Sequence, residues 1–223
     1  MSATRHRLAD ETGTALLLAI VLTIVLGAVA AVIALTARME VLLSGAFHQA
    51  SAALYAADGA LSRALVDLSS ASEWSSALAG VPSSFTHGDP QQRVEVAGGG
   101  SMLLCCGAGS LAAAVQHVAN GNRTWGDNTP RWVLYGWGPA SAWLDADAIR
   151  SPYYVAVWIA DDVADGDGDP ASDANDTVDL YAIALGPGGG RRAVRATAVR
   201  PLDPDGKPRV PGVRLMSWHE SRW

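Results

Sequence analysis

Several things are scarce in this sequence, and each scarcity removes a class of function. Its 223 residues include two cysteines, and these are neighbours, Cys105 and Cys106. No CxxC or Cys/His spacing occurs, so a zinc framework is not expected. Adjacent cysteines form a disulfide only with strained geometry, so the favoured expectation is two small side chains beside a strand, one facing each way. Positive charge is not in excess. The net charge is -6, the opposite of a basic nucleic-acid footprint, and no nucleic-acid partner is expected. The five histidines (His6, His48, His87, His117 and His219) are scattered and make no metal or nucleophile motif. "GPGGG" at 186–190 has no following helix with Lys and Ser or Thr, which makes it a hairpin turn rather than a phosphate loop. No internal repeat is evident, and no enzymatic activity is expected.

Two further absences shape the N-terminal third. Between Thr14 and Ala37 there is no charged residue, and no proline occurs before Pro82. At about 1.5 Å per residue, a helix over 14–37 would be roughly 36 Å long, enough to cross a bilayer. Arg5 and Arg7 before the run, against Arg38 after it, favour an N-terminus-in orientation with the body outside the cytoplasm. A cleaved secretion signal is the rival reading, with Arg5, His6 and Arg7 as its start and "AVA" at 28–30 as its exit. The run is longer than the roughly 7–15 residues of a signal core.

Past Arg38 the character changes but the period does not. Val41, Leu42, Phe47, Ala50, Leu54, Ala57, Leu61, Leu65 and Leu68 are mostly three, four or seven apart and lie on one helical face. Glu40, Gln49, Ser51, Asp58, Ser62, Arg63 and Asp67 occupy the other. The expectation is one helix over about 14–70, transmembrane over 14–37 and amphipathic beyond. Gly27, Gly45 and Gly59 are its soft points, each costing about 1 kcal/mol against Ala.

The segment 71–124 reads as an irregular connection, with a short strand and a short helix within "GGGSMLLCCGAGSLAAAVQHVANGN". From Trp125 onward, "RWVLYGW", "SPYYVAVWIA", "TVDLYAIALG" and "RRAVRATAVR" are β-branched and aromatic runs between turn residues. In the last, Arg195 and Thr197 alternate with Val194, Ala196 and Ala198, predicting one buried and one wet face. The order predicts an α+β chain: a long N-terminal helix and an antiparallel β head over 125–223. Five of the eight tryptophans fall between Trp125 and Trp158 and read as core. The proline-rich tail from Pro201 reads as an extended segment docking on the sheet.

Eight aspartates crowd into 161–179. In "DDVADGDGDPASDAND", Asp165, Asp167, Asp169, Asp173 and Asp176 fall at positions 1, 3, 5, 9 and 12 of a calcium-loop pattern. Pro170 stands where that pattern wants Gly, and Asp176 replaces its final Glu. A strand-to-strand calcium loop is therefore the expected form rather than an EF-hand. The competing reading is an acidic, solvated turn.

The N-terminus also carries a resemblance. A hydrophilic leader ends in "TG" at Gly13, the apolar helix follows, and then comes "ARMEVLLSGAFHQASAALYAADGAL". This resembles type IV pilin-like proteins, specifically minor pilins of the PilX type. The end of the chain, "YYVAVWIADD" followed by "TVDLYAIALGPGGGRRAVRATAVR", is similar to that group too. The resemblance implies a leader over 1–13, cut after Gly13 by prepilin peptidase to expose Thr14. It implies a pilin-like fold and a structural role in pilus assembly, priming and tip presentation. Implied partners are other minor and major pilins, a tip adhesin, and the inner membrane before assembly. The implied location is the inner membrane with a periplasmic head, then the pilus and cell surface. Leu18 stands where major pilins carry Glu, which still admits minor pilins of this type and fits a minor pseudopilin of type II secretion. A membrane-anchored, calcium-dependent binding domain outside the cytoplasm is the remaining alternative.

Overall fold

The computed structural model describes residues 5–98, 100–121, 123, 126–142 and 151–221, with side chains from Gly13 onward. The chain is α+β, with one long N-terminal helix and a five-stranded antiparallel sheet, the pilin-like class expected. It divides into two compact units, Met1–His48 and Gln49–Trp223.

The first unit is helical. It is the larger part of α1 (Arg5–Ser70), which starts ahead of the expected residue 14 and runs through Gly13, Gly27 and Gly45 without a break. No proline interrupts it, and the three glycines cost only about 1 kcal/mol each against Ala. Every residue from 13 to 48 is exposed. α1 is long and apolar enough to cross a membrane, with a mean hydropathy of 3.1 over its most apolar window. Val41, Leu42 and Phe47 were expected on the amphipathic face, but they stay 72%, 67% and 70% exposed.

The second unit begins where α1 acquires a buried side. Ala53, Ala57, Ala60, Leu61, Ala64 and Leu68 are buried, spaced four, three, one, three and four apart as a helix stripe demands. Four of these six are alanines, so the helix axis can approach a sheet closely. The connection that follows is more regular than expected. It holds α2 (Ser75–Leu78), the antiparallel pair β1 (Arg93–Glu95) and β2 (Ser101–Leu103), and α3 (Leu111–Ala119). Ser110 caps α3, its Oγ accepting the Ala113 N–H at 3.3 Å. Cys105 and Cys106, expected as two separate small residues, are joined as a disulfide just past β2.

The main sheet is a meander: β3 (Val133–Pro139), β4 (Tyr154–Asp161), β5 (Thr177–Leu185), β6 (Arg191–Val199) and β7 (Arg214–Ser221) lie side by side in chain order. Gly188 and Gly189, at φ 68° and 75°, turn the β5–β6 hairpin. At Gly136 the β3–β4 register slips, and a Cβ there would lie 2.3 Å from the Phe85 ring. β7 is the expected docking of the tail, realised as an edge strand.

Both faces of the sheet are covered, which is why β4 from Tyr154 to Ala160 and β5 from Leu180 to Leu185 show no polar alternation. One face (Val155, Val157, Ile159, Leu180, Ala182, Ala196) packs with the α1 stripe, Trp74 and Leu78. The other (Ala156, Trp158, Tyr181, Ile183) packs with Leu104, Val115, Trp132 and Trp137. The expected wet face of β6 is thus half-covered. Arg195 pairs with Asp179, donates to the Ala119 carbonyl at 2.8 Å and lies 5.3 Å from the Trp132 ring centre. Trp132, Trp137 and Trp158 are core, as expected; Trp125 and Trp143 lie outside the described residues.

One polar knot ties α1 to the segment after it. Asp67 accepts hydrogen bonds from the Ser83 and Ser84 hydroxyls and the Ser84 N–H, and pairs with Arg63 at 3.1 Å. Burial pushes the Asp67 carboxyl upward, but these bonds and the Arg63 charge outweigh it and leave its pKa below the usual range. Because the folded value is the lower one, this stabilisation is fully present above the unfolded value of about 3.9 and disappears as pH falls through the folded value. Asp67→Ala is expected to cost about 2 kcal/mol, since hydrogen bonds to a charged acceptor are lost together. Thermal unfolding at pH 7 and at pH 3 checks this: the gap between wild type and variant narrows at the lower pH.

Candidate acidic loop and membrane helix

Strand β4 is apolar until its last residue, Asp161, which pairs with Val178 of β5. The loop between these strands, 162–176, holds its backbone by aspartate side chains. Asp162 accepts the Ala164 N–H, Asp165 the Asp167 N–H, Asp167 the Asp169 N–H and Asp169 the Ala171 N–H. Each carboxylate thus bonds the amide two residues on, the local habit that makes Asp a turn residue. Asp165 also reaches across the loop to the Ala174 N–H at 2.7 Å, and Asn175 donates to Asp162 at 2.7 Å.

The five aspartates of the calcium-loop pattern do not stay together. Asp165 and Asp167 meet each other and Asp161, with one carboxylate oxygen from each residue lying within 4.8 Å of the others. Asp169 is spent on the turn at Ala171. Asp173 accepts the Thr177 N–H at 3.1 Å. Burial pushes its pKa up to about 6, the Thr177 bond opposing, with Asp176 and Asp165 adding to the rise. Asp176, at φ 57°, faces Arg200 at 3.5 Å, and its carbonyl accepts the Arg200 N–H at 2.9 Å.

Asp161 is the member that motif spacing missed. It is 1% exposed, and neither carboxylate oxygen has a hydrogen-bond partner. Beside it, the Asn128 amide donates to the Asp162 and Asp165 carbonyls at 2.9 and 3.0 Å, leaving the Asn128 Oδ1 buried and unpartnered. Burial pushes the Asp161 carboxyl up to about 7. The Asn128 amide is near enough to oppose part of this, while the Asp165 and Asp162 charges add to it. The sequence did carry one signal, a charged residue closing an otherwise apolar strand. Nothing in the sequence pointed to Asn128, which a short 3₁₀ turn (Gly126–Asn128) brings in from outside the loop.

Other expected features lie apart. Gly13 and Thr14, the expected cleavage pair, are exposed residues of α1. His48, His87, His117 and His219 are exposed on α1, the 79–92 connection, α3 and β7, and come together nowhere. Comparison with protein-family models, curated proteins and solved structures finds no match to this chain.

Proposed function

We propose that this chain is a membrane-inserted minor pilin of the PilX type, a structural subunit of a type IV pilus and not an enzyme. The observation that carries the reading is the continuity of α1. One helix holds a stretch that is apolar on all sides and exposed, and further along a narrow stripe buried in an α+β unit. A simple anchor has no physical reason to continue as the core element of the domain it tethers. A filament subunit does: its apolar half sits in the inner membrane with a periplasmic head, then packs against the equivalent helices of other minor and major pilins. Met39, Val41, Leu42, Leu43 and Phe47 extend the exposed apolar surface past Arg38, and such helix neighbours would cover them.

Priming of assembly, location at the tip with an adhesin, and cleavage by prepilin peptidase come from the sequence resemblance. Leu18 also fits a minor pseudopilin of type II secretion, but the β-rich head favours the pilin. Intact-mass analysis of the mature chain is the test. The expected mass lacks residues 1–13, with Thr14 as the new N-terminus. A retained leader, or a cut near Ala30, would sink the reading. Sheared filaments are expected to contain the chain.

A further inference from the structure

We infer that Asp161, Asp165 and Asp167 form a binding site for one calcium ion. The starting point is an imbalance of charge. A carboxylate cut off from water needs donors or a counter-ion, because an unpaired buried charge is among the costliest groups a fold can hold. Asp161 has no counter-ion among the described residues: the Asn128 amide and the Asp162 N–H lie near it, but neither oxygen has a hydrogen bond of good geometry, and the charges that act on it, those of Asp165 and Asp162, are negative. The neighbouring Asn128 does not supply the missing charge: its amide hydrogens are committed to the Asp162 and Asp165 carbonyls. Two buried carboxylate oxygens therefore lack a positive partner.

The spacing of the group suits calcium. Oxygens that coordinate calcium lie about 2.3–2.6 Å from the ion, so two ligands on opposite sides stand roughly 4.6–5.2 Å apart. The three aspartates each offer an oxygen within 4.8 Å of the other two. The exposed Asp167 leaves room for water to complete the shell. Magnesium demands a tighter octahedron and keeps more of its water, which a preset group of carboxylates from a strand and a loop serves poorly. Asp173 and Asp176, committed to Thr177 and Arg200, stand outside the set. The loop also touches the segment just past α1: the Asp173 N–H donates to Ser75 Oγ at 3.1 Å. An ion at Asp165 would steady that contact as well. This inference stands independently of the pilin reading.

The test uses the full chain in detergent micelles, titrated with calcium chloride and followed by calorimetry and thermal unfolding. One ion per chain is expected, with a Kd of about 10⁻⁴–10⁻³ M, the range of weak extracellular sites. At about thirty times Kd the melting temperature should rise by roughly 4–8 °C. Asp161→Asn and Asp165→Asn should each weaken binding at least tenfold, while Asp205→Asn, on an exposed turn outside the acidic loop, should not change it. In EDTA, Asp161→Asn should melt no lower than wild type, since it removes an uncompensated charge, and this shows that the variant folds. No saturable uptake by about 10 mM calcium would overturn the proposal and leave Asp161 as a buried neutral carboxyl. Unchanged affinity in both variants would overturn it equally.

Discussion

Trp158→Ala is expected to lower the melting temperature of the second unit by about 6–20 °C, the shift that a loss of about 3–5 kcal/mol produces in a domain of this size. Trp158 lies in β4, opposite Tyr181 of β5, and is fully buried. It stands in the face that meets Leu104, Val115 and Trp132, so its neighbours come from four separate stretches of chain. They cannot collapse into the cavity together, which places the cost at the upper end of large-to-small changes. Trp158→Phe separates packing from polarity. The indole N–H is buried with no partner, and phenylalanine removes that unpaired donor while keeping most of the ring volume. Thermal unfolding should find Trp158→Phe within about 1.5 kcal/mol of wild type, as near-volume-conserving swaps are. If the two variants melt together, the loss is not one of packed volume.

Arg200→Ala is expected to be nearly as damaging, at about 3 kcal/mol, because it breaks a buried charged contact by removing one side. Arg200 is 3% exposed, its guanidinium lies 4.6 Å from the Trp74 ring centre, and its Nη1 donates to the Ser72 carbonyl at 2.6 Å. The same nitrogen faces Asp176. Alanine would uncover the Trp74 face and remove the side-chain contact with Asp176 in one step, leaving the backbone bond to the Asp176 carbonyl in place. Arg200→Met should recover most of the loss. Its unbranched chain can still cover Trp74, and Arg200 already leaves Nε and Nη2 without partners, so fewer bonds are forfeited than the charge suggests. Chemical or thermal unfolding of the three proteins side by side decides it. A methionine variant as unstable as the alanine one would assign the stability to the charge rather than to the contact with Trp74.

Much of this architecture was legible because it rests on periodicity. The α1 stripe at Ala57, Leu61 and Leu68, the β5–β6 hairpin at the Gly-rich turn and the strand character of "YYVAVWIA" all follow from spacing and turn chemistry. What spacing could not supply was the neighbourhood. Val41, Leu42 and Phe47 have the period of a buried face, yet the first residue to be buried is Ala53. Arg195 alternates like a wet residue, but α3 and Trp132 cover it from elsewhere in the chain. The acidic loop shows the same division. The Asp-x-Asp spacing found Asp165 and Asp167. It extended the set along the sequence to Asp169, Asp173 and Asp176, whereas the fold extends it through space to Asp161, with the Asn128 amide holding the loop backbone from outside. A linear motif assumes that the grouped residues come from one loop, and here a strand end supplies Asp161.

The α1 stripe has a consequence for biosynthesis. It is made early, but the surfaces that cover it include the β4, β5 and β6 faces, which leave the ribosome more than eighty residues later. The sheet can zip hairpin by hairpin, because every strand pairs with its neighbour in sequence. The alanines of the helix must wait until β6 has been made, so closing this core is a late, long-range step. A chain halted before β6 would leave that stripe without most of its cover, a ready handle by which quality control could recognise an unfinished subunit.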